Sequence, residues 1–397
     1  MITEKFTQSS TRRLLSFSLP IFLTNFLQVF YALTDMAVVG RFAGESGLAA
    51  ISNGSIIAYL LGSVGTGLAV GGAVVIGHYK GAGDLRGQRE SLSSLLVLSL
   101  LAAGLISPFC LVYAPEIFGL LNIPAEVRPE AVAYLSILSP GLVFFFVGTA
   151  LTFVLRSLGD SRSPLYFMPV GGFINIGLDL VLVWPLSLGV RGAALATVAA
   201  QAGALLFSMV YLKKRGFIFD FNLSGLRLTA DKARRIMGLA LPTMTQLLMV
   251  NLSYLAITIM LNGYGVSTAA AAGIGLKICT LAVMPCWAVG QALTAMAANS
   301  LGAGRPQEAE TLGKAALKLN LTITALVVVA VQLAARPLMA FFNPEAPGVI
   351  TAGVAYLRIC CSLGVLIYAA MYTFNSLATG AGAATMAMVN AQRTANA

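Results

Sequence analysis

The sequence is poor in charged residues. Asp, Glu, Lys and Arg make up only 10% of its 397 residues, and it contains one histidine. Soluble domains carry about 25% charged residues, so this composition excludes an ordinary soluble domain. Hydrophobic residues make up 58% of the chain and the mean hydropathy is +0.85, which indicates a protein whose solvent is lipid.

Catalytic and metal-binding signatures are scarce as well. The five cysteines lie in apolar runs without metal-ligand spacing, so we expect small core residues rather than a metal centre. No HExxH or GxSxG motif occurs, and no paired acid lies with a nucleophile near a common interface. We therefore expect neither an enzyme nor a cofactor.

Long apolar runs predict an all-α polytopic membrane bundle. Each run is long enough to cross about 30 Å of hydrocarbon as a helix, whereas alternating apolar and polar decamers typical of a membrane β-barrel are absent. The first run follows Lys5, Arg12 and Arg13 without a small-residue cleavage site, so we expect it to be retained. The ten runs lie at 14–40, 50–77, 91–115, 130–155, 164–184, 190–212, 237–262, 270–299, 318–342 and 350–378, and an incomplete eleventh follows Thr385.

The distribution of basic residues predicts the topology. The formal net charge is +10. If the N-terminus is cytoplasmic, 18 of the 25 Lys and Arg fall on cytoplasmic segments, in agreement with the positive-inside rule. These charges are scattered over several short loops, which argues against a nucleic-acid surface. We predict a multi-pass membrane protein with a cytoplasmic N-terminus.

The chain contains an internal repeat. Residues 221 positions apart keep matching, as in the triplets Gly81 to Gly83 and Gly302 to Gly304, which we interpret as turns between spans. Six spans separate equivalent positions, so both halves enter the membrane in the same direction, as in carriers built from parallel repeats. We predict an N-terminal six-helix lobe at 1–212, a cytoplasmic connector at 213–235 and a second lobe at 236–397.

The second repeat is shorter than the first. Ala397 corresponds to Ile176 of the first half. The second lobe is therefore expected to be incomplete, with about 10 to 11 spans in the whole chain, as in a C-terminally truncated product.

Two acidic residues lie well inside the first six apolar runs. They are Asp35 in span one and Asp179 in span five, and a charge within a membrane span marks a functional candidate. Asn175 shares a helix face with Asp179, while Thr197 and Tyr134 lie at similar depth. These oxygen-bearing groups suit a hard cation such as Na⁺, and the two acids suit a proton equally well. The alternative is that both acids only hydrogen-bond to neighbouring helices.

Several motifs together resemble the multidrug and toxic compound extrusion (MATE) family. They are the stretch LPIFLTNFLQVFYALTDMAVVGRFAGESGLAAIS, the two GAG loops, SLGDSRSP, NIGLD and GAALAT. The resemblance covers essentially the whole chain and is greatest to the bacterial DinF-like and MepA-like branch. It implies two six-helix lobes, export of lipophilic cations across the bacterial inner (plasma) membrane driven by Na⁺ or H⁺, and a cation site at Asp35, Asn175, Asp179 and Thr197 with Tyr134 nearby.

The cargo site is less defined. The polar and methionine side chains of the second half could line an adaptable pocket, and ordinary helix packing explains them equally well. The candidate cavity residues are Gln246, Asn251, Met284, Tyr372 and Asn375.

We expect amphipathic organic cations and the lipid bilayer as partners, no nucleic acid, and a monomer. One rival is a lipid-linked oligosaccharide flippase of similar fold, which would need basic residues for its pyrophosphate, and only Lys277 is a clear candidate. The other is a nonfunctional truncated fragment.

Overall fold

The computed structural model describes residues 2–42, 44–120, 126–219, 221–222, 225–262, 264, 266–342 and 347–395. Within these ranges the chain is helical and contains no strand, which confirms the predicted all-α fold. The twelve helices are α1 Ile2–Phe42, α2 Gly44–Gly81, α3 Leu85–Leu120, α4 Arg128–Ser157, α5 Ser163–Leu182, α6 Gly189–Lys214, α7 Ala230–Asn262, α8 Val266–Gly302, α9 Pro306–Phe342, α10 Pro347–Cys360, α11 Leu363–Gly380 and α12 Ala384–Ala395.

The helices agree with the predicted spans except at the tenth. In the described residues, nine helices are long and apolar enough to cross a membrane. The run predicted as one span at 350–378 is instead two helices, α10 and α11, which bend by 47° at a short break. Counting that bent pair as one span gives ten. The predicted eleventh run contains α12, which has 12 residues.

The glycine triplets are turns, as predicted. Gly83 follows α2 with a φ of 74°, and Gly304 follows α8 with a φ of 69°. Both values lie in the left-handed region that glycine adopts without a steric penalty. The repeat therefore places the same tight connection after α2 and after α8.

Contacts group the chain into two units. The N-terminal unit is Leu23–Met244, and the C-terminal unit comprises Met1–Phe22 and Thr245–Ala397. Two helices, α1 and α7, are thus each shared between the units, which differs from the boundaries of the predicted lobes. The prediction of lobes at 1–212 and 236–397 with a connector at 213–235 stays a prediction.

Packing explains why α1 and α7 are shared. In the N-terminal unit, Ile236 and Ala240 from the first part of α7 are fully buried beside Leu68 of α2 and Leu92 of α3. In the C-terminal unit, the first part of α1 buries Leu14 and Ile21 against α8 and α9. Each helix is long enough for its two parts to have different packing partners.

Candidate functional site

Helix α5 buries polar residues and exposes apolar ones. All twenty residues of α5 are described. In the part of the helix that follows Phe167, only Asn175 and Asp179 are buried, and both are 0% exposed. Phe173 is 77% exposed, and Leu180 also lies at the surface. Because the outer surface of a membrane bundle faces lipid, this inverted pattern shows that the polar face of α5 points into the protein.

The predicted Asn175 and Asp179 pair is therefore a feature of the interior. Four residues apart, the two side chains lie on one face of the helix. Among the residues that the structure describes, neither amide atom of Asn175 has a hydrogen-bond partner. A buried amide without a partner is uncommon and calls for an explanation such as a ligand or ion.

Helix α1 runs beside α5 in the same direction. A methyl group placed on Gly172 of α5 would lie 4.0 Å from Cδ2 of Tyr31. Further along, the rings of Phe42 and Trp184 stack with centroids 5.3 Å apart. The two contacts are eleven residues apart on α1, from Tyr31 to Phe42, and twelve apart on the other chain segment, from Gly172 to Trp184. Nearly equal spacing in the same order indicates that the two helices run side by side between the contacts.

This pairing sets the height of position 35. It lies four residues after Tyr31, and Asn175 lies three after Gly172. At a rise of about 1.5 Å per residue, the α1 backbone at Asp35 is level with the interval between Asn175 and Asp179. The side chain of Asp35 lies outside the described residues, so only its place on α1 is defined.

Helix α6 brings Thr197 to the same level. It runs antiparallel to α5: a methyl group on Gly192 would lie 3.0 Å from the carbonyl carbon of Leu182, and one on Gly203 would meet the side chain of Ile174. Thr197 lies about midway between these two contacts, opposite the interval from Asn175 to Asp179. We call Asn175, Asp179 and Thr197 the polar layer.

Thr197 keeps an oxygen lone pair for a ligand. Its hydroxyl donates to the carbonyl oxygen of Ala193 at 3.0 Å, which is the usual bond of a helical threonine to the preceding turn. A hydroxyl that donates once still has acceptor capacity on its oxygen. The polar layer can thus offer a carboxylate, an amide oxygen and a hydroxyl oxygen.

Tyr134 lies outside the polar layer. It is buried on α4, and its ring rests on Gly54 of α2, where a methyl group would collide with it. Seven residues later, Gly141 packs against Val198 of α6. If α4 and α6 run in the same direction, the backbone of Tyr134 lies about six residues, or about 9 Å, from the level of Thr197, and the role of Tyr134 in the cation site stays a prediction.

The candidate cavity residues all lie in the C-terminal unit. Met284 and Asn375 are buried, whereas Gln246 and Asn251 on α7 are half-buried. Tyr372 rests on Gly290 of α8 and stacks on Tyr368 with ring centroids 5.9 Å apart. These contacts bring the α11 residues to α8, and the role of all five in binding cargo stays a prediction.

A polar contact at the break between α10 and α11 was not predicted from the sequence. The side-chain amide of Gln332 on α9 donates to the carbonyl oxygen of Arg358 at 3.2 Å and to that of Cys361 at 2.6 Å. A glutamine within the apolar run 318–342 was a usable signal, because polar side chains in a span need partners.

Comparisons with known proteins agree with this architecture. Residues 20–181 and 242–391 each match the sequence model of the MatE family. The chain is 29% identical over 353 residues to the probable multidrug resistance protein YoeA of Bacillus subtilis (strain 168), covering 87% of this chain and 76% of that protein. It is 24% identical over 396 residues to the multidrug export protein MepA of Staphylococcus haemolyticus (strain JCSC1435), covering 98% and 86%.

A solved structure shows the same fold. It is described as the outward-facing conformation of a multidrug resistance MATE family transporter of the MOP superfamily, and the match has a TM-score of 0.88 at 22% identity. The match covers 96% of this chain and 84% of that one. With the two family matches covering most of the chain, one in each repeat, the chain belongs to the MATE family of multidrug efflux transporters, as the resemblance predicted.

Proposed function

We propose that this transporter is a cation-coupled antiporter that exports lipophilic, mostly cationic drugs and toxins across the bacterial inner membrane by alternating access. An inward-moving Na⁺ or H⁺ binds at Asp35, Asn175, Asp179 and Thr197, and its release accompanies drug binding. The N-terminus is cytoplasmic in this proposal, following the positive-inside distribution of Lys and Arg.

The burial of Asn175 and Asp179 on the inward face of α5 is the observation that carries this proposal. An acid within a membrane bundle costs free energy unless a cation, a proton or a hydrogen-bonding partner neutralises it. The unpartnered amide of Asn175, one turn from Asp179, is explained if its oxygen coordinates an ion. The level of Thr197 on α6 and of position 35 on α1 supports a shared site.

Exchange follows from competition for charge. Two acids at one level attract one small cation, and they also attract a positively charged drug. If the negative charge of this site must be neutralised before the protein reorients, either the ion or the drug can neutralise it. Inward movement of the ion and outward movement of the drug are then coupled, because the drug gains access as the ion leaves.

Dye transport tests the site and the ion together. We would reconstitute the protein in proteoliposomes, impose a Na⁺ gradient or a H⁺ gradient separately, and follow transport of an ethidium-like dye. We expect one gradient to drive the dye, and we expect Asp35→Asn and Asp179→Asn each to lower the rate at least tenfold. The matched control is Glu310→Gln, an equivalent change at an exposed acid of α9 that pairs with Lys314 at 2.6 Å.

Two outcomes contradict the proposal. Wild-type rates in both acid variants, with normal insertion, would remove the assigned cation site. Movement of a lipid-linked oligosaccharide in place of the cationic dye would favour the flippase of similar fold. Lys277, the basic residue that such a cargo would use, lies exposed on α8.

A further inference from the structure

The break between α10 and α11 is built without proline. Helix α10 ends at Cys360 and α11 begins at Leu363, with a bend of 47° between them. The repeat spacing of 221 places Pro140 of α4 opposite Cys361, yet α4 is one continuous helix. The second repeat is thus interrupted at a position where it has no proline to disrupt the helical hydrogen bonds, whereas the first repeat continues through Pro140.

Gln332 supplies the hydrogen bonds that the break removes. In a continuous helix the carbonyl of Cys361 would accept from the N–H of Val365, but that N–H donates to Ser362 instead. One glutamine amide has two N–H donors, which here serve the carbonyls of Cys361 and Arg358. The first repeat has Leu111 at the position equivalent to Gln332, so this contact is specific to the second repeat.

Helix α8 holds the opposite side of the same break. Before it, the ring of Tyr356 rests on Gly275, and after it, the ring of Tyr372 rests on Gly290. Between these contacts, Sγ of Cys279 lies 3.0 Å from Sγ of Cys361. The two thiols are free cysteines, and they meet at the bend itself.

The geometry points to Cys279 and Cys361 as a redox-modification site that a peroxide oxidises to a disulfide. Disulfide sulfurs are about 2.05 Å apart, so a movement of about 1 Å brings these two into bonding distance. Cys360 is the neighbouring alternative, but it is exposed while Cys361 is buried. The N–H of Cys361 still donates to the carbonyl of Leu357 at 2.8 Å, as in a helix, so Cys360 and Cys361 point about 100° apart and Cys361 is the one that contacts Cys279.

The chemistry balances with hydrogen peroxide as the oxidant. The sulfur of one cysteine attacks the peroxide O–O bond and becomes a sulfenic acid, and one water leaves. The second sulfur then displaces the sulfenic hydroxyl, and the S–S bond forms as a second water leaves. Together the two thiols give up two protons and two electrons, which reduce the peroxide to two molecules of water.

The disulfide fastens the break to α8. The hydrogen bonds from Gln332 can separate and re-form, so they allow the angle at the break to change, whereas a covalent bond to Cys279 does not. Oxidation is therefore expected to arrest transport until a reductant restores the thiols. This consequence rests on the proposed transport function, while the modification itself does not.

Thiol chemistry tests the site directly. Purified protein in nanodiscs would be treated with hydrogen peroxide, digested without reductant and analysed by mass spectrometry. We expect one cross-linked pair of peptides, containing Cys279 and Cys361, in the wild type and in the control Cys360→Ala, and none in Cys279→Ala or Cys361→Ser. A wild-type protein without this pair, or a pair that persists in Cys361→Ser and is lost in Cys360→Ala, overturns the assignment.

Two further measurements test whether the disulfide stops movement at the break. Hydrogen exchange at amides 358–365 is expected to slow after oxidation of the wild type and to stay unchanged in Cys279→Ala. Dye transport is expected to fall at least tenfold in the oxidised wild type, to recover with dithiothreitol, and to stay unchanged in peroxide-treated Cys279→Ala. Unchanged exchange despite a formed disulfide overturns the arrest, whereas a reduced wild type that moves no dye contradicts only the proposed transport function.

Discussion

Replacing Gln332 by leucine removes the side-chain donors at the break between α10 and α11. Two carbonyl oxygens, those of Arg358 and Cys361, lose hydrogen bonds of 3.2 and 2.6 Å. The bond to Arg358 is exposed and the bond to Cys361 is partly buried. Leaving one buried polar group unsatisfied costs about 1–3 kcal/mol, so loss of the Cys361 bond lowers the free energy of unfolding by about that amount if the break persists. Leucine is the residue at the equivalent position 111 of the first repeat, so its size suits a span.

The measurement is an equilibrium unfolding titration of the purified protein in detergent, with Gln307→Leu as the matched control. Gln307 is exposed near the start of the same helix, and surface substitutions usually change stability by less than about 0.5 kcal/mol. We expect the unfolding midpoint of Gln332→Leu to fall clearly below that of the control. Equal midpoints would refute the reasoning that Gln332 stabilises the break.

Two other contacts yield predictions of the same kind. Phe42→Leu and Trp184→Leu are expected to show a coupling of about 0.5–1.5 kcal/mol in a double-mutant cycle of unfolding, because their rings stack at the end of the α1 and α5 pair; additive effects would argue against that pairing. Tyr79→Phe is expected to lower the free energy of unfolding by about 1 kcal/mol, since the Tyr79 hydroxyl accepts from Nζ of Lys232 at 2.6 Å. Tyr113→Phe, at an exposed tyrosine, is the control, and an equal loss there would contradict the contact.

The helical fold was predictable because lipid leaves few alternatives. Apolar runs of span length have to form helices in a bundle, and the repeat shows twice where tight turns follow. The turns at Gly83 and Gly304 were predicted for this reason. The family could also be predicted from the sequence, because its motifs occur along the whole chain.

The break at Cys361 could not be predicted. Proline is the strongest sequence signal for a bend, and none occurs at Cys361–Ser362; Ser362 and Gly364 are common in apolar spans and do not by themselves locate a break. The contacts at the break come from Gln332, which is 29 residues from Cys361, and from Cys279, which is 82 away. A glutamine in an apolar run indicates that its amide has a partner, but contacts at such separations leave no local pattern that identifies the partner.

Part of the candidate site could be predicted, and part needed the structure. The spacing of Asn175 and Asp179 predicts one helix face, and its burial follows from the cost of polar groups in lipid. The depth of Thr197 was predicted by counting residues from the span ends, and α6 does place it opposite α5. The same counting put Tyr134 at a similar depth; the structure places its ring on Gly54 of α2, and its part in the cation site stays a prediction.

The exchange of ion and drug at the polar layer is tested most directly by measuring ion release on drug binding. Purified protein in weak buffer would receive a saturating cationic drug while the release of protons and of radioactive Na⁺ is recorded. The account predicts that one of these ions leaves the wild-type protein as the drug binds, and that Asp179→Asn releases neither. Drug binding without release of either ion, or undiminished release from both Asp35→Asn and Asp179→Asn, would contradict it.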